Sequence, residues 1–181
     1  MLNVTIPRIE GFDDKTNQFI DFIPETHLQL EHSLISLSKW EAKWKKPFLS
    51  KTEEKTQEEL LDYIQCMSLT PNVDPKIYRY IPSEVFKKII EYIEDPMTAT
   101  TFSDKKSSGK KEIITSEVIY YWMVSLNIPF ECQKWHLNRL LTLIRVCSEK
   151  NAPQKKMSTK DILARNKSLN AQRRAKLHSR G

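Results

Sequence analysis

The most concentrated apolar pattern of the chain lies between Glu112 and Cys147. Its first part repeats apolar side chains at three- and four-residue spacing, at Ile119, Tyr120, Met123, Val124 and Leu126. After a break at Ile128-Pro129, a second stripe is formed by Trp135, Leu137, Leu140, Leu141, Ile144 and Val146. Such spacing is typical of helices with one buried face, and proline interrupts a helix because it lacks the donor that the interior needs. The pattern therefore predicts two helices that fold back as an antiparallel hairpin and form the core.

The N-terminal part of the chain alternates in polarity and is rich in β-branched and aromatic side chains. We expect strands at Leu2–Ile6, Phe19–Ile23 and His27–Leu30, with Asp13-Asp14 in a turn. A sheet of two or three strands is marginal by itself, so it has to pack on another part of the molecule. The sequence thus predicts a small N-terminal antiparallel β-sheet.

Helical spacing begins after Ser33, with apolar or small residues at Leu34, Leu37, Trp40, Ala42 and Trp44. This helix should end before Lys46-Pro47. Trp40 and Trp44 are four residues apart and therefore share a face, with several lysines around them. Two interpretations stay open: a stacking surface for nucleic acid, or a core pair whose edges are covered by lysine stems. Core packing is favoured because large aromatic side chains mostly serve packing.

Two more helices and a loop are predicted before the hairpin. Thr56, followed three residues later by a glutamate, has the pattern of a capping box and precedes an apolar stripe. Ser83 is expected to cap the next helix. Met97–Lys111 has no apolar stripe, which indicates a loop, or alternatively an edge hairpin through Thr98–Phe102.

The distribution of charge divides the chain into two parts. From residue 151 onward there are nine Lys or Arg and one acidic residue, Asp161, which gives a net charge of +8, whereas residues 1–150 carry −2. Ser158-Thr159 opens another capping-box pattern, and the helix it predicts has so thin an apolar stripe that it is marginal without a partner. We therefore predict a mainly helical body at 1–150 with N-terminal β-strands, and a basic C-terminal helical tail at 151–181.

The expected fold class is mainly α (α+β): a helical bundle with a small N-terminal antiparallel β-sheet and a basic C-terminal helix. The core should be formed around the large apolar side chains of the predicted helices. Those side chains are Trp40, Trp44, Tyr120, Trp122, Trp135, Leu140 and Ile144.

The composition excludes several classes of protein. Only three glycines are present, which argues against dinucleotide-binding units and phosphate loops. The longest uncharged run, from Val118 to Phe130, is shorter than the roughly 20 residues that span a membrane. Three cysteines without paired spacing fit reduced thiols, and the opening segment MLNVTIPRIEGFDD lacks a signal-peptide pattern. We expect an intracellular protein that does not enter a membrane.

No recognised catalytic motif occurs in the sequence. Cys132 and His136 are four residues apart, with Cys147 as a third candidate ligand, but a structural zinc site needs four. The run Glu31–Ser33 contains the residue types of a catalytic triad, yet nothing nearby would form an oxyanion hole. The expectation is a protein that is not an enzyme and has no metal and no cofactor.

The basic tail is the candidate binding element. It could contact phosphates of nucleic acid, remain a solvated helix, or pair with an acidic, amphipathic partner helix that completes both its charge and its stripe. The third interpretation is favoured, because the tail has no aromatic residues or Gly-Arg repeats for stacking on bases. Its partner-binding residues would be Ile162, Leu163, Arg165, Leu169, Arg173, Arg174 and Leu177.

Several segments resemble the tail assembly chaperone family of long-tailed bacteriophages. They are LQLEHSLISLSKWEAKWKKPFL at Leu28–Leu49, MTATTF at Met97–Phe102, EVIYYWMVSLNIPFECQKWHLNRLLTLIRVC at Glu117–Cys147, and the closing DILARNKSLNAQRRAKL. The resemblance implies a small protein of the host cell cytoplasm that coats the tape measure protein and helps to recruit tail tube subunits. Self-association remains open. Two rival functions also remain: a small nucleic-acid-binding protein that uses the tail, and a structural tail or connector component of the virion.

Overall fold

The computed structural model describes residues 1–13, 17–50, 54–102, 113–152 and 159–177. The protein is mainly helical with a small antiparallel β component, so the predicted fold class is confirmed. Contacts divide the chain into two compact units, Met1–Ser148 and Glu149–Gly181.

Four strands form the N-terminal β structure: β1 (Leu2–Ile6), β2 (Ile9–Asp13), β3 (Gln18–Ile23) and β4 (Thr26–Leu30). β1 pairs with β4 and β2 with β3, both antiparallel, so the second pair is nested between the strands of the first. The prolines at positions 7 and 24 separate the two pairs, because proline has no N–H to donate to a ladder. In β1, Val4 and Ile6 are buried and alternate with exposed residues, which fixes the face that packs on the helices.

β2 is a strand that the sequence analysis missed. Gly11 and the acidic residues around it have low strand propensity, so pairing with β3 decides the conformation here. Asp13 belongs to β2 and does not lie in the predicted turn, while Asp14 lies outside the described residues.

The helices are α1 (Leu34–Trp44), α2 (Gln57–Met67), α3 (Ser83–Glu94), α4 (Ser116–Ser125), α5 (Leu137–Asn151) and α6 (Thr159–Leu177). Two short 3₁₀ helices, η1 (Pro75–Tyr80) and η2 (Phe130–Lys134), precede α3 and α5. Neither 3₁₀ helix was predicted, since each is too short to show a period in the sequence.

The central element of the body is α1. Its N-terminus is closed by Ser33, whose side chain accepts from the Ser36 backbone while Ser36 Oγ accepts from the Ser33 N–H at 2.8 Å. α1 then packs against α2, α4 and η2. Within the described residues, α1 packs more extensively with these elements than α4 does with α5, so the predicted hairpin does not form the core by itself. α4 and α5 both contribute to the shared core, with Ile119 and Met123 from α4 and Leu140 and Ile144 from α5.

Trp40 lies in the centre of this packing. It is fully buried, and its indole N–H donates to the Glu59 carbonyl at 2.8 Å. The rings of Phe48 and Tyr63 contact it edge-on at 5.0 and 6.5 Å between centroids. Trp44 stacks on Trp40 at 6.1 Å and is half-buried. The arrangement leaves no open aromatic face for a nucleic-acid base at Trp40.

A buried carboxylate connects α1 to the start of α4. Glu41 Oε1 accepts from the Phe48 N–H at 2.9 Å, and Oε2 accepts from the Ser116 N–H at 2.7 Å. The first N–H groups of a helix have no partner within it, so this contact satisfies a donor that the Thr115 side chain does not reach. A charged residue in the stripe of α1 thus positions α4.

The predicted helix caps have different outcomes. Thr56 and Glu59 form the expected capping box at the start of α2, with bonds of 3.2 and 2.8 Å. Ser83 does not cap α3: it is the first helical residue, and Pro82 occupies the capping position without a side-chain bond. No strand occurs at positions 98–102, so the alternative of an edge hairpin is not found there, and residues 103–111 lie outside the described part.

The predicted core side chains are distributed unevenly. Leu140 and Ile144 of α5 are buried, and Tyr120 and Trp122 of α4 are half-buried against the core. The prediction that Trp135 is a core residue is wrong, because 37% of its surface is exposed. It ends η2 before α5 begins, and its ring is covered by the Arg139 guanidinium at 4.5 Å and not by core residues.

Candidate functional site: the exposed apolar faces of α6 and α4

α6 is a continuous helix that buries none of its residues. Its large apolar side chains are Ile162, Leu163, Leu169 and Leu177, each with between 40% and 73% of its surface exposed. At the helical rotation of about 100° per residue, these four positions fall within an arc of about 120°. The four large apolar side chains therefore share one side of the described helix, where polar residues lie between them.

Basic residues surround this stripe. The described helix carries Lys160, Arg165, Lys167, Arg173, Arg174 and Lys176, with Asp161 as its one acidic residue. By helical rotation Arg173 lies inside the apolar arc and Arg174 lies at its edge next to Leu163. The seven predicted partner-binding residues are thus on one helix, and the stripe is divided by cations. A surface of this kind suits a partner that offers both apolar side chains and carboxylates.

A second exposed apolar surface lies on α4 and was not predicted. Tyr121 is 68% exposed and Val124 is 59% exposed, on the side of α4 opposite the buried Ile119 and Met123. Phe130 of η2 is also exposed, at 54%.

We call the set Glu117, Tyr120, Tyr121, Val124 and Phe130 the α4 face. Tyr120 links its two elements, because its ring lies 6.3 Å from that of Phe130 and its hydroxyl donates to Gln133 at 2.9 Å. The sequence signal was present in the run VIYYWMV, which is apolar on every side of a helix. A helix of that kind is usually buried on all sides, so one of its faces lacks a neighbour here.

A buried polar cluster joins several elements of the body. His32, between β4 and α1, lies with its Nδ1 2.6 Å from the hydroxyl of Tyr63 on α2. The ring of His136, at the start of α5, is 5.1 Å from that of His32, and its Nε2 is 2.9 Å from the carbonyl oxygen of Tyr92 on α3. Tyr92 in turn donates its hydroxyl to Glu31 at 2.7 Å. The Leu137 N–H donates to the His32 carbonyl at 2.7 Å, so the backbone also holds the cluster together.

Burial sets the charge of this cluster. It lowers the pKa of His32 to about 3, with the neighbouring His136 as a second cause, and it also lowers the pKa of His136. Burial raises the pKa of the Tyr63 hydroxyl, which therefore stays protonated next to His32. Because a carbonyl oxygen only accepts, the proton of neutral His136 lies on Nε2. Its Nδ1 is then an acceptor without a donor among the described residues.

The two histidines of the cluster are largely buried, with 2% and 6% of their surface exposed, and each contributes to the wall of a cavity. Ser33 Oγ accepts from the Ser36 N–H and lies in the cap of α1, so it is not paired with His32 as a triad would require. Within the described ranges, no three His, Cys, Asp or Glu residues are arranged to hold a metal ion.

Two open cavities lie on the body, and the wall of the larger one contains apolar and polar residues, among them His32, Glu54 and Lys55. The larger, about 820 Å³, lies between the loop after α1 and the ends of α3 and α5, and Phe48, Leu60 and Ile93 contribute to its wall. Another of about 420 Å³ lies between α2, η1 and α3, with Leu61, Ile81 and Phe86.

No protein-family model, curated protein or solved structure matches this chain. Of the helices in the described ranges, none has the length and apolar character needed to cross a membrane.

Proposed function

We propose that this protein is a tail assembly chaperone of a long-tailed bacteriophage, acting in the host cell cytoplasm without catalysis or a cofactor. In this proposal it binds the tape measure protein and helps to recruit tail tube subunits. The observation that carries the proposal is α6, a basic helix whose four large apolar side chains are all exposed. The resemblance of the sequence to that family supplies the identity of the partner.

The energetics of α6 favour a helical protein partner. Burying one leucine-sized side chain contributes about 1.5–3 kcal/mol, so a stripe of this size can supply most of the binding energy. The cations around the stripe would steer an acidic partner and fix its register. A holding protein also needs to release its partner, and a single exposed helix can be displaced without opening the core.

Nucleic-acid binding is the second candidate, because six basic residues lie on α6. Phosphate contacts alone would explain the charge of the helix. They would not explain why its apolar side chains share one side. A structural role in the virion would use the same surfaces. The two roles differ because a structural component is present in finished particles and a chaperone is not.

The test is capture of overlapping helical fragments of the tape measure protein from the same phage by the full chain. Leu163→Asp with Leu169→Asp removes the stripe and leaves every basic residue in place. We expect this variant to lose at least about tenfold in affinity, since two buried leucines are replaced by charges.

The matched control is Ala164→Asp with Ala171→Asp, which adds the same charge to the opposite side of α6. It should capture the fragments as the wild type does. If the leucine variant captures normally, and the wild type holds duplex DNA at about 150 mM salt, the nucleic-acid candidate replaces the chaperone.

A further inference from the structure

We infer that α6 of one chain docks on the α4 face of a second copy of this protein. The inference goes beyond the proposed function and does not rest on it. It joins two exposed apolar surfaces of the described chain, one on a strongly basic helix and the other on a helix whose single charged residue is acidic.

The receiving surface has the shape and polarity for a helix. Tyr121 and Val124 are three residues apart on α4 and form a ridge, and the ring of the exposed Phe130 lies 6.3 Å from that of Tyr120 on the same helix. Glu117 lies four residues before Tyr121 on the same side of α4, and Glu131 follows Phe130 in the chain. The apolar residues of the face therefore have an acidic residue before and after them in the sequence.

The donor helix is complementary in both respects. Its apolar arc contains Leu163 and Leu169, and Arg173 and Arg174 lie in or next to the same arc. Packing two copies of α6 on each other would bring like charges together, whereas packing α6 on the α4 face places cations near Glu117 and Glu131. Charge thus selects the α4 face over a second α6.

A second copy is the occupant that covers both of these surfaces at once. Each chain has one α6 and one α4 face, so two chains related by a two-fold axis can exchange helices reciprocally. The exchange forms two identical contacts and therefore buries twice the area of a single contact. Stable interfaces bury roughly 1,200–2,000 Å² in total, and a reciprocal contact comes closer to that range than a single one.

The experiment measures the mass of the full 21.3 kDa chain over a concentration series by light scattering. The wild type is expected to form a dimer that weakens with added salt. Tyr121→Lys with Val124→Lys, the face variant, should dissociate at a concentration at least about tenfold higher. Leu163→Asp with Leu169→Asp, the helix variant, should do the same.

Mixing the two variants is the decisive measurement. The face variant keeps a working α6 and the helix variant keeps a working α4 face, so one of the two contacts can form between them. A tagged face variant should therefore retain the helix variant on a column, although neither associates with itself. The control, Gln29→Lys with Gln65→Lys, adds the same charge at exposed positions of β4 and α2 and should dimerise as the wild type does.

Three results would overturn the inference. They are a wild type that is monomeric at every concentration, variants that both still dimerise, and a mixture that forms no complex while both variants keep the wild-type melting midpoint. The face variant has an intact α6, so its capture of tape measure fragments reports on the proposed function separately. If the face variant captures the fragments normally but does not self-associate, the result supports a role of the α4 face in self-association and leaves the proposed function standing.

Discussion

At the scale of single residues, His32 is a buried histidine whose ionisation is governed by its surroundings. Its Nδ1 lies 2.6 Å from the Tyr63 hydroxyl, the His136 ring is 5.1 Å away between centroids, and the His32 carbonyl oxygen accepts from the Leu137 N–H. Burial, with the neighbouring His136 as a second cause, disfavours a proton on its ring. The folded protein therefore holds His32 neutral, at a pKa of about 3.

Stability should fall as the pH drops below about 6.5, the ordinary pKa of histidine. Between that pH and about 3, the unfolded chain takes up a proton at His32 while the folded chain does not. One such group lowers the free energy of unfolding by about 1.4 kcal/mol per pH unit in this window, and above about pH 7 it contributes no dependence. Urea denaturation at a series of pH values between 7 and 5 measures the slope.

His32→Asn should reduce this slope, because it removes the titrating group and keeps a polar atom near Tyr63. His27→Asn is the matched control, since His27 is exposed on β4. An equal slope in wild type and His32→Asn would show that His32 is not the acid-sensitive group.

At the scale of elements, two hydroxyl residues at the starts of helices have different roles. Thr56 accepts from the Glu59 N–H and caps α2, whereas Ser83 is already inside α3 and caps nothing. Both fit the same sequence pattern, in which a hydroxyl precedes an apolar run. The difference depends on the backbone one residue earlier, where Pro82 already has the extended conformation of a cap.

Thr56→Ala should lower the free energy of unfolding by about 0.5–2 kcal/mol, the usual effect of losing a cap. Ser83→Ala should change it by less than about 0.5 kcal/mol, as an exposed surface position does. Thermal or urea unfolding of the two variants side by side decides the point. A larger loss from Ser83→Ala than from Thr56→Ala would contradict the assignment of the caps.

At the scale of the whole molecule, the body should not depend on the tail for its stability, because α6 buries no residue. Deleting residues 158–181 should leave the melting midpoint within about 2 °C of that of the full chain. This corresponds to a change of less than about 1 kcal/mol in the free energy of unfolding. Leu140→Ala in the full chain is the comparison: it empties a fully buried position and should cost about 2–5 kcal/mol. A truncated chain that melts as early as Leu140→Ala would make α6 part of the folded body.

The sequence by itself determined which segments are helices and strands, since this depends on local periodicity, caps and breakers. α1, α2 and α6 have the expected positions, as do β1 and β4. The basic helix with its thin apolar stripe was also readable from spacing alone. Where the local signal is weak, as at β2 around Gly11, the sequence indicated no strand because pairing with β3 supplies what propensity lacks.

Only the tertiary structure decided which apolar faces are buried. Periodicity shows that one side of a helix is apolar, but it does not identify the neighbour that covers it. Tyr121 and Val124 belong to a run that is apolar on all sides, and the position of α1 determined that Ile119 would be inside and they would not. In the same way Glu41, a charged residue, became a buried connection because two N–H groups distant in sequence meet there. Burial depends on contacts between residues that are far apart in the chain, and no local pattern records them.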